Sequence, residues 1–166
     1  MADRPESDPL ATNLRAAREA DAAALSALRA AFWSDQIAKG SLDNPDTDPA
    51  KLATDTAHLV KRARTVIFVA TDRENLVGYI LGQTKIVPGA ASSIVSSIEE
   101  IFVLPQYRRT TVARMLVDNA LKSFRASGCH RFQLRVLERN DAGKAFWQQL
   151  GFLPAVTIYE YAGPKE

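Results

Sequence analysis

Three arginines crowd one short stretch at the middle of the chain: Arg108 and Arg109, then Arg114. Between them lie the hydroxyls of Thr110 and Thr111 and the small residues Val112 and Ala113. Beyond, Ala113, Leu116, Val117, Ala120, Leu121 and Phe124 fall on one helical face, with Arg114, Asp118, Lys122 and Arg125 opposite. Asp118 and Lys122 have a favourable i,i+4 spacing. A helix start presents backbone N–H groups without intrahelical partners, at the positive end of the dipole. Cations beside such a start predict a phosphate site. Upstream, Glu99 and Glu100 are adjacent carboxylates. Partial burial raises the pKa of a glutamate and makes it a usable base, directly or through water. On a regular strand the two point to opposite faces, one to a cleft and one to solvent.

These groups need elements to hold them. Ile98–Leu104 is β-branched and aromatic-rich and reads as the end of a strand running from Ile94, stopped by Pro105. Strand, basic loop and helix then follow in order. Earlier in the chain, Asn13–Ala17 predicts a short edge strand. Asp21 predicts the N-cap of a helix through Ala31, with Leu25, Leu28 and Phe32 on one side. Asp48-Pro49 predicts the start of a second helix, carrying Leu52, Ala53, Thr56, Leu59, Val60 and Ala63. Val66–Ala70 is continuously apolar, a strand covered on both faces, and Asp72–Asn75 turns it into a return strand over Leu76–Gln83. Pro88–Ser93 is a small-residue turn. After the central helix, Ser127-Gly128 is the stop, Phe132–Val136 a strand, Asn140 the N-cap of a last helix, and Val156–Tyr161 a final strand. The order β-α-α-β-β-β-α-β-α-β is an α/β fold with a mixed sheet.

Length and composition bound the rest. A chain of 166 residues with 46% hydrophobic and 24% charged residues is one globular domain, expected over residues 11–166 behind a polar tail over residues 1–10. A net charge of +2 argues against a nucleic-acid or membrane partner. Cys129 stands alone, so no internal disulfide forms, and no apolar run spans a membrane; a cytoplasmic protein is expected. His58 and His130 lie in no ligand-spaced cluster, and no metal is expected.

Two stretches carry a family resemblance. Ile98–Ala113 resembles the signature of the GNAT superfamily of N-acetyltransferases, in which a strand I-E-x-L-x-V-x-P leads into a loop Q/R-x-x-G-x-G/A. Asn140–Phe152 is similar to the family's N-x-x-A-x-x-F-Y-x-x-L-G-F segment. The resemblance implies a mixed central sheet whose two parallel strands splay, flanked by helices, with acetyl-CoA as co-substrate. It implies strand amides around Ile101, Phe102 and Val103 against the thioester. It also implies the pyrophosphate on Arg108, Arg109, Thr110, Thr111, Val112, Ala113 and Arg114, and the pantetheine near Asn140 and Phe146. The implied reaction is direct transfer of an acetyl group to a primary amine of a small-molecule or peptide acceptor in a ternary complex, by a monomer or homodimer. In that family the first helices form the acceptor wall. Here they carry Phe32 and Trp33, with Asp35, Asp43, Asp46 and Asp48 nearby, suited to a cationic acceptor. Glu99 or Glu100 is the expected base.

Two positions depart from the pattern. Thr111 stands where the family has glycine, and a branched Cβ resists positive φ and close approach to a phosphate. Trp147 stands where many members have a tyrosine acid, and an indole donates no titratable proton. Core packing is expected for Trp147, and the acid falls to another tyrosine (Tyr107, Tyr159 or Tyr161, with Tyr159 the choice here), to water, or to nothing. The same departures motivate a second reading: a CoA-binding or interaction module of this fold with weak or lost catalysis.

Overall fold

A computed structural model of the chain describes residues 12–43, 45–88, 94–161 and 163. The tail expected over residues 1–10 and most of the Pro88–Ser93 turn lie outside them. The elements are β1 Thr12–Ala16, α1 Ala22–Ala38, α2 Pro49–Lys61, β2 Thr65–Asp72, β3 Asn75–Ile86, β4 Ile94–Val103, α3 Val112–Ala126, β5 Phe132–Leu134 and α4 Asp141–Gln149. Single 3-10 turns lie at Glu19–Asp21 and Pro105–Tyr107. The five strands form one sheet in the order β1-β2-β3-β4-β5, antiparallel except for the parallel β4–β5 pair.

Helices cover both faces. On one, Leu25, Leu28 and Phe32 of α1 pack on Ile67, Val69, Tyr79, Leu81 and Phe102. On the other, Leu116, Val117, Ala120 and Phe124 of α3, with Trp147 of α4, pack on Ala70, Val77, Ile80, Ile98 and Val103. The approach of α3 is close enough to demand Gly82: a Cβ there would lie 2.5 Å from Phe124 Cζ and 2.8 Å from the Ser97 carbonyl oxygen.

Local chemistry explains the boundaries. Asp48 accepts a hydrogen bond from the Lys51 amide at 3.0 Å, with Pro49 in the first turn of α2. Asp21 occupies the N-cap position of α1, yet its carboxylate accepts from Arg15 at 2.6 and 2.8 Å and from the Arg18 amide at 2.7 Å. It therefore fastens β1 to the helix start instead of capping it. The helix runs on past the expected end at Ala31, because Ala22–Ala38 contains neither glycine nor proline.

One expected element is corrected. Val156–Tyr161 forms no strand; residues 152–161 have no regular structure. The edge available to them is short, since β5 has three residues and offers few ladder groups. The Arg135–Glu160 ion pair at 2.9 Å lies beside that edge.

Candidate active site

The two parallel strands part company early. β5 pairs with Ser96, Ser97 and Ile98, then ends at Leu134, while β4 continues through Glu99–Val103. That last segment of β4 keeps β3 on one side and has no β5 residue on the other. Its outward groups follow from the hydrogen bonds. The Ser96 amide donates to the Arg131 carbonyl at 3.0 Å, so even-numbered residues face β5 before the parting. The Leu104 amide donates to the Val77 carbonyl at 2.9 Å, so even-numbered residues face β3 after it. A β-bulge makes the change: Leu81 pairs with Glu100 but Gly82 pairs with Ile98, leaving Glu99 unopposed. The amides of Ile101 and Val103 therefore point to the open edge.

The start of α3 follows β4 after one turn. Thr111 is its N-cap at φ −75° and ψ −9°, without a side-chain cap, and the Met115 amide bonds the Thr111 carbonyl at 2.9 Å. Amides before that bond have no helical carbonyl to meet. Thr110 braces the turn: its hydroxyl donates to the Tyr107 carbonyl at 2.6 Å and accepts from the Val112 amide at 3.3 Å. The left-handed residue of this loop is Arg109, at φ 61°. Thr111 is thus in ordinary helical backbone, and the strain expected from its branched Cβ is not there.

The carboxylates do not lie on opposite faces, and the bulge is the reason. Glu99 accepts from the Ser97 hydroxyl and lies 3.5 Å from Lys85 Nζ, both on the sheet face that carries Leu81. Glu100 enters the same side, but deeper. Its Oε2 accepts from Tyr79 Oη at 2.7 Å and Arg29 Nε at 3.0 Å, and its Oε1 from Arg29 Nη2 at 2.8 Å. Glu99 keeps 38% of its side chain exposed, against 6% for Glu100. Burial, then the Glu100 charge, push the Tyr79 phenol well above its usual range. Arg29 Nη1 also reaches Asp55 at 2.8 Å and Thr56 at 3.1 Å.

The sequence profile of the acetyltransferase (GNAT) family matches residues 25–152. The chain belongs to that family. It is similar to aminoglycoside N(6′)-acetyltransferase type 1 of Acinetobacter baumannii, 28% identical over 121 residues, which span 72% of this chain and 83% of that protein. In fold it resembles an aminoglycoside N-acetyltransferase solved with CoA, at a TM-score of 0.76 and 21% identity over 92% of this chain and 94% of that one. It also resembles the ribosomal-protein-alanine N-acetyltransferase of Brucella melitensis biovar Abortus, at a TM-score of 0.72 and 16% identity over 92% of this chain and 100% of that one.

Within this GNAT chain the other expected residues are placed as follows. Arg108 reaches back to β4: its Nε donates to the Val103 carbonyl at 3.0 Å and its guanidinium lies 5.3 Å from the centre of the Phe102 ring. Arg109 is exposed, and so is Arg114, which faces Asp118 at 4.0 Å in place of the expected Asp118–Lys122 pair. Val112 is buried in the core and Ala113 packs beside it. Asn140 caps α4 by accepting from the Gly143 amide at 3.1 Å. Trp147 is core, edge-on to Phe146 at 5.0 Å and to Phe152 at 5.2 Å.

The acceptor wall and the candidate acids are placed differently from expectation. Phe32 is buried in the core beneath α1, which leaves the half-buried Trp33, edge-on at 5.2 Å, as the available member of the aromatic pair. The acids nearby are used locally, Asp35 by Lys39 at 2.6 Å, Asp46 by Lys51 at 2.7 Å and Asp48 as a cap. Tyr159 is 93% exposed on the irregular C-terminal segment. Tyr107, the other acid candidate near the loop, donates to Asp72 at 2.6 Å, a bond that raises its pKa.

Sequence reasoning missed Arg29 and Tyr79. The signal for Arg29 was present: residues 25, 28, 29 and 32 repeat at the spacing of a buried helix face, and position 29 of that face is an arginine. A cation on an apolar stripe asks for a buried partner. Among the described residues no helix is long and apolar enough to cross a membrane, and no three His, Cys, Asp or Glu side chains gather as metal ligands.

Proposed function

We propose that this acetyltransferase moves an acetyl group from acetyl-CoA to a primary amine of a small cationic acceptor of the aminoglycoside type, by direct transfer. The observation that carries the reading is the open edge of β4, with the Ile101 and Val103 amides turned outward one turn before the uncapped start of α3. Such an edge and such a helix start suit the two ends of one elongated ligand, a carbonyl-bearing arm and a diphosphate. Amides among 109–114 other than that of Val112, which Thr110 engages, hold the diphosphate, with Arg109 and Arg114 adding charge, while Asn140 and Phe146 border the arm. The aminoglycoside class is suggested by the curated relative that matches most of this chain.

Glu99 is the base in this reading, and Glu100 is not. The Glu100 carboxylate holds three donors and is enclosed, whereas Glu99 is accessible where β4 and β5 part. A primary amine of pKa near ~10.4 arrives protonated. Glu99, through water, takes one proton from the ammonium; the nitrogen attacks the thioester carbonyl, the C–N bond forms, the C–S bond breaks, and the nitrogen gives up its second proton to solvent. The thiolate then takes a proton from solvent, since Tyr159 is exposed on an irregular segment and Trp147 cannot donate one. Trp33 on α1 faces the acceptor. Against the alternative of a catalytically silent module stands the helical backbone of Thr111, which removes the objection from positive φ.

The test has two parts. Calorimetry with acetyl-CoA and desulfo-CoA reads cofactor binding. Thiol release against an aminoglycoside, a polyamine and a peptide N-terminus reads the acceptor. Binding with release only for the aminoglycoside is expected. Absence of CoA binding overturns the reading, and release only with the peptide overturns the acceptor class.

A further inference from the structure

Burying a charge pair is costly, and an apolar pair of similar volume is often no less stable. Arg29 and Glu100 are nonetheless buried together, with side chains 7% and 6% exposed. Four elements meet on them: Arg29 from α1, Asp55 and Thr56 from α2, Tyr79 from β3 and Glu100 from β4. None of these groups takes part in the transfer described above.

The pairing register shows what they constrain. With the bulge at Glu99, Glu100 pairs with Leu81 and its side chain enters the α1 side. Without the bulge, every residue after Ile98 would slip by one, and Glu100 would stand opposite Ile80 on the α3 side, among Val112, Leu116 and Val117. A one-residue slip sends each side chain to the other face and each amide to the other edge. The Ile101 and Val103 amides would then turn in towards β3, and those of Glu100 and Phe102 would face the gap.

We propose that Arg29 and Tyr79, acting through Glu100, are positioning residues that fix the β4 bulge and so keep the Ile101 and Val103 amides at the open edge. The three donors on the carboxylate can be satisfied in the bulged register only, because the alternative puts that carboxylate in an apolar core. This is the role in which a buried polar group is best attested, selecting a register at some expense of stability. The consequence for turnover rests on reading the open edge as the acetyl-CoA contact; the register itself does not.

The test is a double variant, Arg29→Met with Glu100→Leu, that removes both charges and keeps approximate volume. Amide hydrogen exchange by NMR reads the register directly. In the native chain Ile101 and Val103 are expected to exchange fast and Phe102 slowly. The double variant is expected to show two sets of β4 resonances, or protection moved onto Ile101 and Val103, with turnover down by about 10²-fold, the scale of a misplaced contact. A folded double variant with the native exchange pattern overturns the proposal. If that variant does not fold, Tyr79→Phe decides, since it deletes one hydrogen bond and no volume. Faster exchange at Phe102 and lower kcat at unchanged protein stability support the proposal. Native exchange at Phe102, Ile101 and Val103 with native kcat overturns it. A wild-type chain that binds no acetyl-CoA would overturn the functional reading and leave the exchange comparison standing.

Discussion

Replacing each glutamate of the Glu99-Glu100 pair by glutamine separates a catalytic carboxylate from a structural one. Glu100→Gln leaves the Arg29 guanidinium buried, with Asp55 and Thr56 as its remaining partners. Breaking a buried pair from one side costs about 3–5 kcal/mol. The lower end applies here, because glutamine still accepts one hydrogen bond and Asp55 still faces the guanidinium. For a chain of this length about 1 kcal/mol moves Tm by roughly 2–4 °C, so ~3 kcal/mol predicts a fall of roughly 6–12 °C. Glu99 is 38% exposed and touches the Ser97 hydroxyl and Lys85. Its replacement belongs with surface changes within about 0.5 kcal/mol, a shift of roughly 2 °C or less. Turnover separates them by its pH dependence, since a disturbed β4 register lowers the Glu100→Gln rate at every pH. Glu99→Gln loses the base and falls by roughly 10²–10⁴-fold, and the loss shrinks as pH approaches the amine's own pKa. Scanning calorimetry and thiol release over a pH series measure both quantities on the same samples. A Glu100→Gln chain with native Tm, or a Glu99→Gln chain with native rate at neutral pH, refutes the assignment.

Three further outcomes are expected. Alanine at both Arg109 and Arg114 should weaken acetyl-CoA binding, and by a larger factor at low salt, where screening is weak; calorimetry at two ionic strengths measures it. Arg108→Ala should lower stability instead, since its guanidinium holds the Val103 carbonyl and the Phe102 ring, and a Tm scan reads this. Asp21→Asn should lose stability at neutral pH and progressively less as pH falls below ~3.9. Hydrogen bonds from Arg15 and the Arg18 amide hold this carboxyl below its usual value against partial burial. Its stabilisation is therefore complete above the unfolded pKa of ~3.9 and vanishes as pH falls through the lower folded value; thermal unfolding of both chains from pH 3 to 7 checks the sign.

Much of the fold was legible because its signals are local. The Ala113–Phe124 stripe, the Asp48-Pro49 start and the apolar Val66–Ala70 run each specify their own geometry, and the structure forms all three elements. The C-terminal failure has the opposite cause. Val156–Tyr161 alternates as a strand does, but a strand exists only where a neighbour presents a free ladder, and the length of β5 could not be read from residues 156–161. The basic loop was legible in outline, as the connection from β4 to α3, and wrong in detail. Side-chain type placed the conformational demand on Thr111, whereas the left-handed residue is Arg109, two positions earlier.

The paired glutamates show why part of a site stays hidden from pattern reading. Period-2 alternation is the rule that sorts strand residues to faces, and it assigned Glu99 and Glu100 to opposite sides. The rule fails at a bulge, and nothing in Ile98-Glu99-Glu100-Ile101 marks which residue is the extra one. That information sits far away in sequence, in Arg29 and Tyr79, and becomes visible only when α1 and β3 bring their donors to one carboxylate. A cation at a buried position of one element and an acid inside an apolar strand of another are each anomalous alone. Together they account for each other, and the pairing forces the bulge between Ile98 and Glu100. The bulge in turn makes Glu99 the accessible carboxylate and directs the Ile101 and Val103 amides outward. The catalytic assignment of one glutamate thus depends on the structural assignment of its neighbour, which is why the two substitutions must be read as a pair.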